Sequence, residues 1–190
     1  EKGRTLLLLS FSLPIALSTA VDIVSVWLDK FVVSVYLGTA ALGVFYVGAM
    51  EIPFVAVLLT SIYGVVSPVL SSHHHRGDAA GFADLVKKTI LFTAKFIWPL
   101  WIYLLVFADR LIPAVFGDGY EASLAPFRVY LMMMPLRVAL YGTIVIALGR
   151  PRIVLWSAAG ALLLNFVLNI ILVTRMGLAG PALAPVISSY

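Results

Sequence analysis

Ile153-Val154-Leu155-Trp156-Ser157-Ala158-Ala159-Gly160-Ala161-Leu162-Leu163-Leu164-Asn165-Phe166-Val167-Leu168-Asn169-Ile170-Ile171-Leu172-Val173-Thr174 carries no charged residue. Helix rises 1.5 Å per residue, so about 20 such residues span a hydrocarbon core of roughly 30 Å. Four further runs of this kind precede it, at about residues 5–36, 43–72, 82–115 and 121–148, and a sixth opens near residue 178. Small or polar stretches separate them: Gly38, His73-His74-His75-Arg76-Gly77-Asp78, Gly117-Asp118-Gly119, Gly149-Arg150-Pro151-Arg152, and Gly177 with Gly180-Pro181. The third run begins amphipathic, with Asp84, Lys87 and Lys88. Strands of a membrane barrel would alternate apolar and polar residues over about 10 positions, which no segment sustains. The reading is all-α, a polytopic transmembrane helix bundle.

Composition points the same way. The chain has 62% hydrophobic and 12% charged residues, with a mean hydropathy of +1.06, far from the balance of water-soluble domains. There is no cysteine, hence no disulfide framework, thiolate metal site or cysteine nucleophile. The net charge of +4 does not gather into a patch of the kind that binds nucleic acid; the basic residues sit between the apolar runs and read as topology signals. Lys2, Arg4, Arg76, Lys87, Lys88, Arg150 and Arg152 fall on one side, against Lys30, Arg110 and Arg175 on the other. That asymmetry predicts a cytoplasmic N-terminus in an inner or plasma membrane, with the His-rich and Gly-Arg-Pro-Arg connections on the same side. The opening Glu1-Lys2-Gly3-Arg4, without an initiator methionine, and an end at Tyr190 inside a new apolar run predict part of a longer polypeptide. Trp27, Trp98, Trp101 and Trp156 are candidates for interfacial anchoring or for helix packing.

Polar side chains inside such runs are costly in lipid and mark candidate function. Ser18, Asp22, Ser25 and Asp29 follow an i, i+4, i+7, i+11 spacing, which puts them on one helical face and suits a hydrated cavity. The alternative is that the serines only permit close packing and that Asp29, beside Lys30, lies at an interface. Glu51 precedes Pro53 in the second run, and Arg128 and Arg137 in the fourth offer counter-charges. At 100° per residue the two arginines point to nearly opposite faces of a straight helix, although Pro135 between them is a candidate kink. Arg137, nearer mid-helix, is the better cavity residue and a bidentate ligand for phosphate; Arg128 is expected in a structural ion pair or at an interface. Either arginine is also explained by an ion pair between helices.

Lys95 is positioned to snorkel. Asn165 and Asn169, i and i+4 behind the small residues Ala158-Ala159-Gly160-Ala161, read first as interhelical glue and second as site residues. His73, His74 and His75 are consecutive, so they do not converge on one metal ion as i, i+4 histidines would. Neither a metal nor a cofactor is expected. The chain lacks a phosphate-cradling glycine loop, and buried Asp, Glu and Arg without a nucleophile–base constellation fit a transporter better than an intramembrane hydrolase.

Several short motifs add a resemblance. Phe116-Gly117-Asp118-Gly119-Tyr120-Glu121-Ala122, Phe127-Arg128-Val129-Tyr130, Ala147-Leu148-Gly149-Arg150-Pro151, Asn165-Phe166-Val167-Leu168-Asn169 and Gly177-Leu178-Ala179-Gly180-Pro181-Ala182-Leu183-Ala184 resemble, in order and spacing, polysaccharide-biosynthesis membrane proteins. These belong to the oligosaccharide flippase family of the multidrug/oligosaccharidyl-lipid/polysaccharide exporter superfamily, and the order is similar to its C-terminal lobe. Asp29-Lys30 and Ser67-Pro68-Val69-Leu70-Ser71 extend the similarity over essentially the whole chain. Pro181, where the family usually has a small residue, and Pro185 depart from the pattern and predict an irregular sixth helix.

The resemblance implies one lobe of a two-lobed exporter with alternating access. Its cargo would be a lipid-linked oligosaccharide for cell-surface glycan, O-antigen of lipopolysaccharide included, and its partners membrane lipids and a glycan polymerase or glycosyltransferase. Two other readings stay open: a cation-coupled multidrug or metabolite antiporter of the same superfamily, and a non-transporting scaffold of a polysaccharide synthase.

Overall fold

The computed structural model describes residues 2–189, with the side chains of Thr5 and of the residues from Leu8 onward. Glu1, Tyr190 and the side chains of Lys2 and Arg4, used above for chain ends and topology, lie outside the described residues. Among the described residues there are helices and no strand: α1 (Lys2–Gly48), α2 (Pro53–His75), α3 (Ala79–Phe116), a 3-10 turn (Asp118–Ser123), α4 (Leu124–Leu131), α5 (Met133–Arg137), α6 (Tyr141–Ala147), α7 (Pro151–Met176) and α8 (Ala179–Ser189). Five stretches are long and apolar enough to cross a membrane: Leu8–Gly48, Pro53–His75, Ala79–Phe116, Asp118–Ala147 and Pro151–Met176. Their surfaces are largely unburied and bear large apolar side chains such as Trp156, Leu163, Val65 and Phe31, as lipid requires and water would not allow over so large an area.

The breaks have identifiable local causes. Gly38 adopts φ 85°, a region that disfavours side chains with a Cβ, and it divides α1 into a long and a short limb. Residues 43–48, expected to open the second span, instead finish α1; the chain then unwinds through Ala49-Met50-Glu51-Ile52. Pro53 restarts it as the first residue of α2, where its missing N–H costs nothing. At the other end of α2, Asp78 caps α3: its Oδ1 accepts from the Gly81 N–H at 2.8 Å, and Oδ2 lies 2.8 Å from His73 Nδ1. The Gly81 N–H, then the His73 ring, holds this exposed carboxyl below its usual pKa.

The span expected as one helix over 121–148 is a chain of three. Pro135 has no N–H to return to Leu131, which favours a break there, and α4 gives way to α5 at Met132. Leu140, in the left-handed region at φ 55°, then separates α5 from α6. The sixth helix, expected to be irregular, runs to Ser189 with Pro185 inside it. Pro181 falls in its first turn, where no intrahelical N–H is required.

Two apolar cores hold these pieces. Val55 and Leu59 of α2, Ile97, Leu104, Ala108 and Ile112 of α3, and Phe127, Leu131 and Met134 of the broken span form the larger. Val33 and Phe45 of α1, with Ala49 just after it, meet Ala182 of α8 in the smaller one, against which Tyr130 packs. Two close approaches fix the joints. A Cβ on Gly48 would stand 2.7 Å from Pro126 Cβ and 2.8 Å from the Ser123 carbonyl, and one on Gly180 would stand 2.3 Å from the Leu172 carbonyl oxygen.

Candidate functional site

The two interruptions face each other. Glu51, in the unwound link between α1 and α2, reaches Arg137 at the C-terminal end of α5, with Oε1 2.5 Å from a guanidinium nitrogen. Tyr63 of α2 donates its hydroxyl to the Arg137 main-chain oxygen, which the break after α5 frees from intrahelical bonding. The pair stands between two cavities that share both residues. One, of about 40 Å³, is bounded by Met50, Ile52, Phe127, Tyr130 and Met134; the other, of about 460 Å³, is bounded by Thr60, Tyr63, Leu140, Tyr141 and Thr143. Both side chains remain partly accessible, so an anion reaching the cavity would compete with Glu51 for the guanidinium, a planar donor suited to phosphate.

Arg128 makes a different contact. It lies 3.7 Å from Asp109 of α3, both side chains exposed, as the ion-pair expectation for this residue had it. The break at Met132 intervenes between the two arginines, so their directions are not those of one straight helix.

The helix-one stripe divides into unlike environments. Ser18 is buried and donates to the Ile15 carbonyl at 2.8 Å, a bond within its own helix. Asp22 is exposed and Ser25 half-buried, and neither lines the two cavities beside Glu51 and Arg137. Asp29 is the one charged residue of the stripe that is drawn inward, with 2% of its surface exposed. Its Oδ2 accepts from Tyr130 at 2.9 Å and its Oδ1 from Asn169 Nδ2 at 2.7 Å; Asn169 Nδ2 also lies 2.9 Å from Asn165 Oδ1. Asn165 and Asn169 thus bridge α7 to α1 as glue would, and α4 joins them through Tyr130. Lys30 turns away, its ammonium over the rings of Trp27 (5.1 Å) and Tyr46 (4.5 Å). Trp27, Trp98 and Trp156 are exposed, whereas Trp101 packs against the larger core.

Sequence reasoning did not single out Tyr63 and Tyr130. Both are aromatic residues in aromatic-rich spans, and only their hydroxyl partners distinguish them. No local pattern announces such long-range bonds.

Fold and site together define a multi-pass α-helical membrane protein with polar and charged side chains paired across interrupted spans. The chain belongs to the polysaccharide biosynthesis protein family, whose pattern matches residues 1–125. It is similar to a protein of Haloferax volcanii named as the probable low-salt glycan biosynthesis flippase Agl15, with 21% identity over 167 residues, covering 85% of this chain and 35% of that protein. The chain therefore spans about a third of the length of this curated relative. No solved structure matches it.

Proposed function

We propose that this chain forms the C-terminal lobe of a flippase that carries a lipid-linked oligosaccharide across the bilayer for cell-surface glycan synthesis. The carrying observation is the Glu51–Arg137 pair, which joins the link between two spans to a break within another. Transporters place substrate sites at breaks within spans, where freed backbone groups and side chains can meet a ligand. Membership of a polysaccharide biosynthesis family and likeness to a glycan flippase supply the cargo class.

In this reading Arg137 takes the phosphate of the lipid carrier once Glu51 releases it, and Asp22 and Ser25 face sugar hydroxyls across the cavity shared with the other lobe. The protein works in the inner or plasma membrane as a transporter, with the His73–Asp78 turn and the Gly149–Arg152 turn on the cytoplasmic side, where basic residues collect. Glycan polymerases or glycosyltransferases would supply and consume its cargo.

The test is deletion of the intact protein in its native host, measuring lipid-linked oligosaccharide in each leaflet and glycan at the surface. Accumulation in the inner leaflet with loss at the surface is expected. Unchanged glycan with altered sensitivity to cationic drugs would transfer the protein to the antiporter reading and overturn the flippase.

A further inference from the structure

Arginine is an unexpected residue at the start of a helix, because the partial positive charge there favours carboxylates and repels cations. Yet α7 opens with Arg150 as its N-cap and Arg152 at its second position, on either side of Pro151, and its first turn holds no acidic residue. No carboxylate among the described residues lies within ion-pair distance of either guanidinium. Positive charge is thus gathered at this helix end with no negative group to balance it.

Both arginines line one cavity, of about 540 Å³, which Ser10 and Phe11 of α1 bound from the other side, with Ile153 beside the arginines. It shares no residue with the two cavities that flank Glu51 and Arg137. One apolar span begins at Leu8 and another at Pro151, so the cavity sits at a membrane face, where headgroups meet hydrocarbon. Its walls divide in the same way. The guanidiniums are exposed, and so are Phe11, Ile153 and, one turn beyond Arg152, Trp156. A topology signal explains the charge of the arginines but not the cavity they share with α1. Unbalanced cations next to bare apolar surface match an amphiphile with an anionic head: a soluble anion would leave Phe11 and Ile153 uncovered, and a neutral lipid would leave the guanidiniums unpaired.

We propose that this cavity binds one anionic phospholipid of the surrounding bilayer, with its phosphate between Arg150 and Arg152 and its acyl chains along Phe11 and Ile153. Guanidinium forks match the oxygens of a phosphate, and basic pockets between spans at a membrane face hold acidic headgroups. The first N–H groups of α7, which receive no side-chain cap, add to the attraction without carrying the site. Because the walls come from α1 and α7, the bound lipid joins the first span to the fifth at their shared end. The inference goes beyond the flippase reading and holds whatever the cargo is.

The test titrates the full-length protein in detergent micelles with phosphatidylglycerol or phosphatidylcholine and counts bound lipid by native mass spectrometry. Saturable binding of one phosphatidylglycerol per chain is expected, favoured over phosphatidylcholine by roughly tenfold or more and weakened by salt. Arg150→Gln and Arg152→Gln should each weaken it about fivefold, and the two together by roughly tenfold or more. Ser10→Trp, which fills the cavity and keeps every charge, should weaken it as well, whereas Arg76→Gln, the same loss of charge in another connection, should not. Should the double variant fail to insert, the single variants and Ser10→Trp decide. Equal binding of the two lipids, an equal loss in Arg76→Gln, or undiminished binding in Ser10→Trp would overturn the site. So would glycerol phosphate binding as tightly as the lipid, which would mark a site for soluble anions, or a polyprenyl diphosphate binding where phosphatidylglycerol does not, which would mark a part of the cargo path. None of these readouts involves glycan, so they stand apart from the leaflet measurements that test the flippase.

Discussion

Glu51 and Arg137, 86 residues apart, close an ion pair of 2.5 Å that partitions two cavities. Neither belongs to an uninterrupted span: one sits in an unwound link, the other at the last residue of a five-residue helix. The pair is thus held by non-helical and helix-terminal backbone, while the larger core behind it, including Leu59 and Met134, is packed and apolar.

Separating the partners should cost more than removing both. A lone Arg in a span carries a penalty of about 2.5–3.5 kcal/mol on insertion scales, so Glu51→Gln should lower the thermal unfolding midpoint of the detergent-solubilised protein more than the double variant Glu51→Gln/Arg137→Gln does. A coupling of about 0.5–3 kcal/mol in the double-mutant cycle is expected. Additive effects would mean that the two side chains do not act as a unit.

In transport, Arg137→Ala should abolish flipping while leaving membrane insertion intact, because it removes the phosphate ligand of the proposed cargo path. Arg137→Lys keeps the charge but loses the planar fork, and partial activity is expected. Wild-type surface glycan in Arg137→Ala would dismiss this residue from the path.

The exposed Arg128–Asp109 contact, at 3.7 Å, supplies a contrast. Asp109→Asn should change stability by less than about 1 kcal/mol, as exposed pairs do, and the small effect should disappear in high salt. Equilibrium unfolding at two salt concentrations checks both statements.

Gly48 is a joint between α1 and the start of α4, and Gly180 a joint between α7 and α8. Gly180→Ala would drive its Cβ against backbone at Leu172, which cannot give as a side chain does. A loss of about 1–3 kcal/mol is expected from such overpacking, and Gly48→Val should cost at least as much. Gly64, with open space around its Cβ position, is the control: Gly64→Ala should be neutral or mildly stabilising.

Asp78 predicts a pH window. Its folded pKa is lowered from 3.8, so its contribution is fully present above the unfolded value and is lost as pH falls through the folded one. The stability difference between wild type and Asp78→Ala should therefore be constant from pH 5 upward, begin to fall as pH approaches 3.8, and be lost only once pH is below the lowered folded value. A difference already lost at pH 5 would overturn this assignment.

The sequence by itself determined the membrane class, because apolar run length is a one-dimensional property and lipid imposes helices on any chain that must satisfy its own backbone. It also named most of the polar residues that matter, since Asp29, Glu51, Arg137, Asn165 and Asn169 stand out against apolar neighbours. Periodicity put Ser18, Asp22, Ser25 and Asp29 on one face, and that is as far as periodicity goes.

Only the tertiary structure decided their fates. It left Asp22 exposed and enclosed Asp29, because enclosure depends on which helix lies opposite. It joined Asp29 to Asn165 and Asn169, a carboxylate and amides that local reading had assigned to separate tasks, through a partner 140 residues away. It also moved the start of α2 from residue 43 to Pro53 and split the fourth span at Met132 and Leu140. Hydropathy is blind to such breaks: a residue stays apolar whether its backbone is helical or turned, while the energy of the turn is settled by neighbours such as Tyr63 that take up the freed carbonyl.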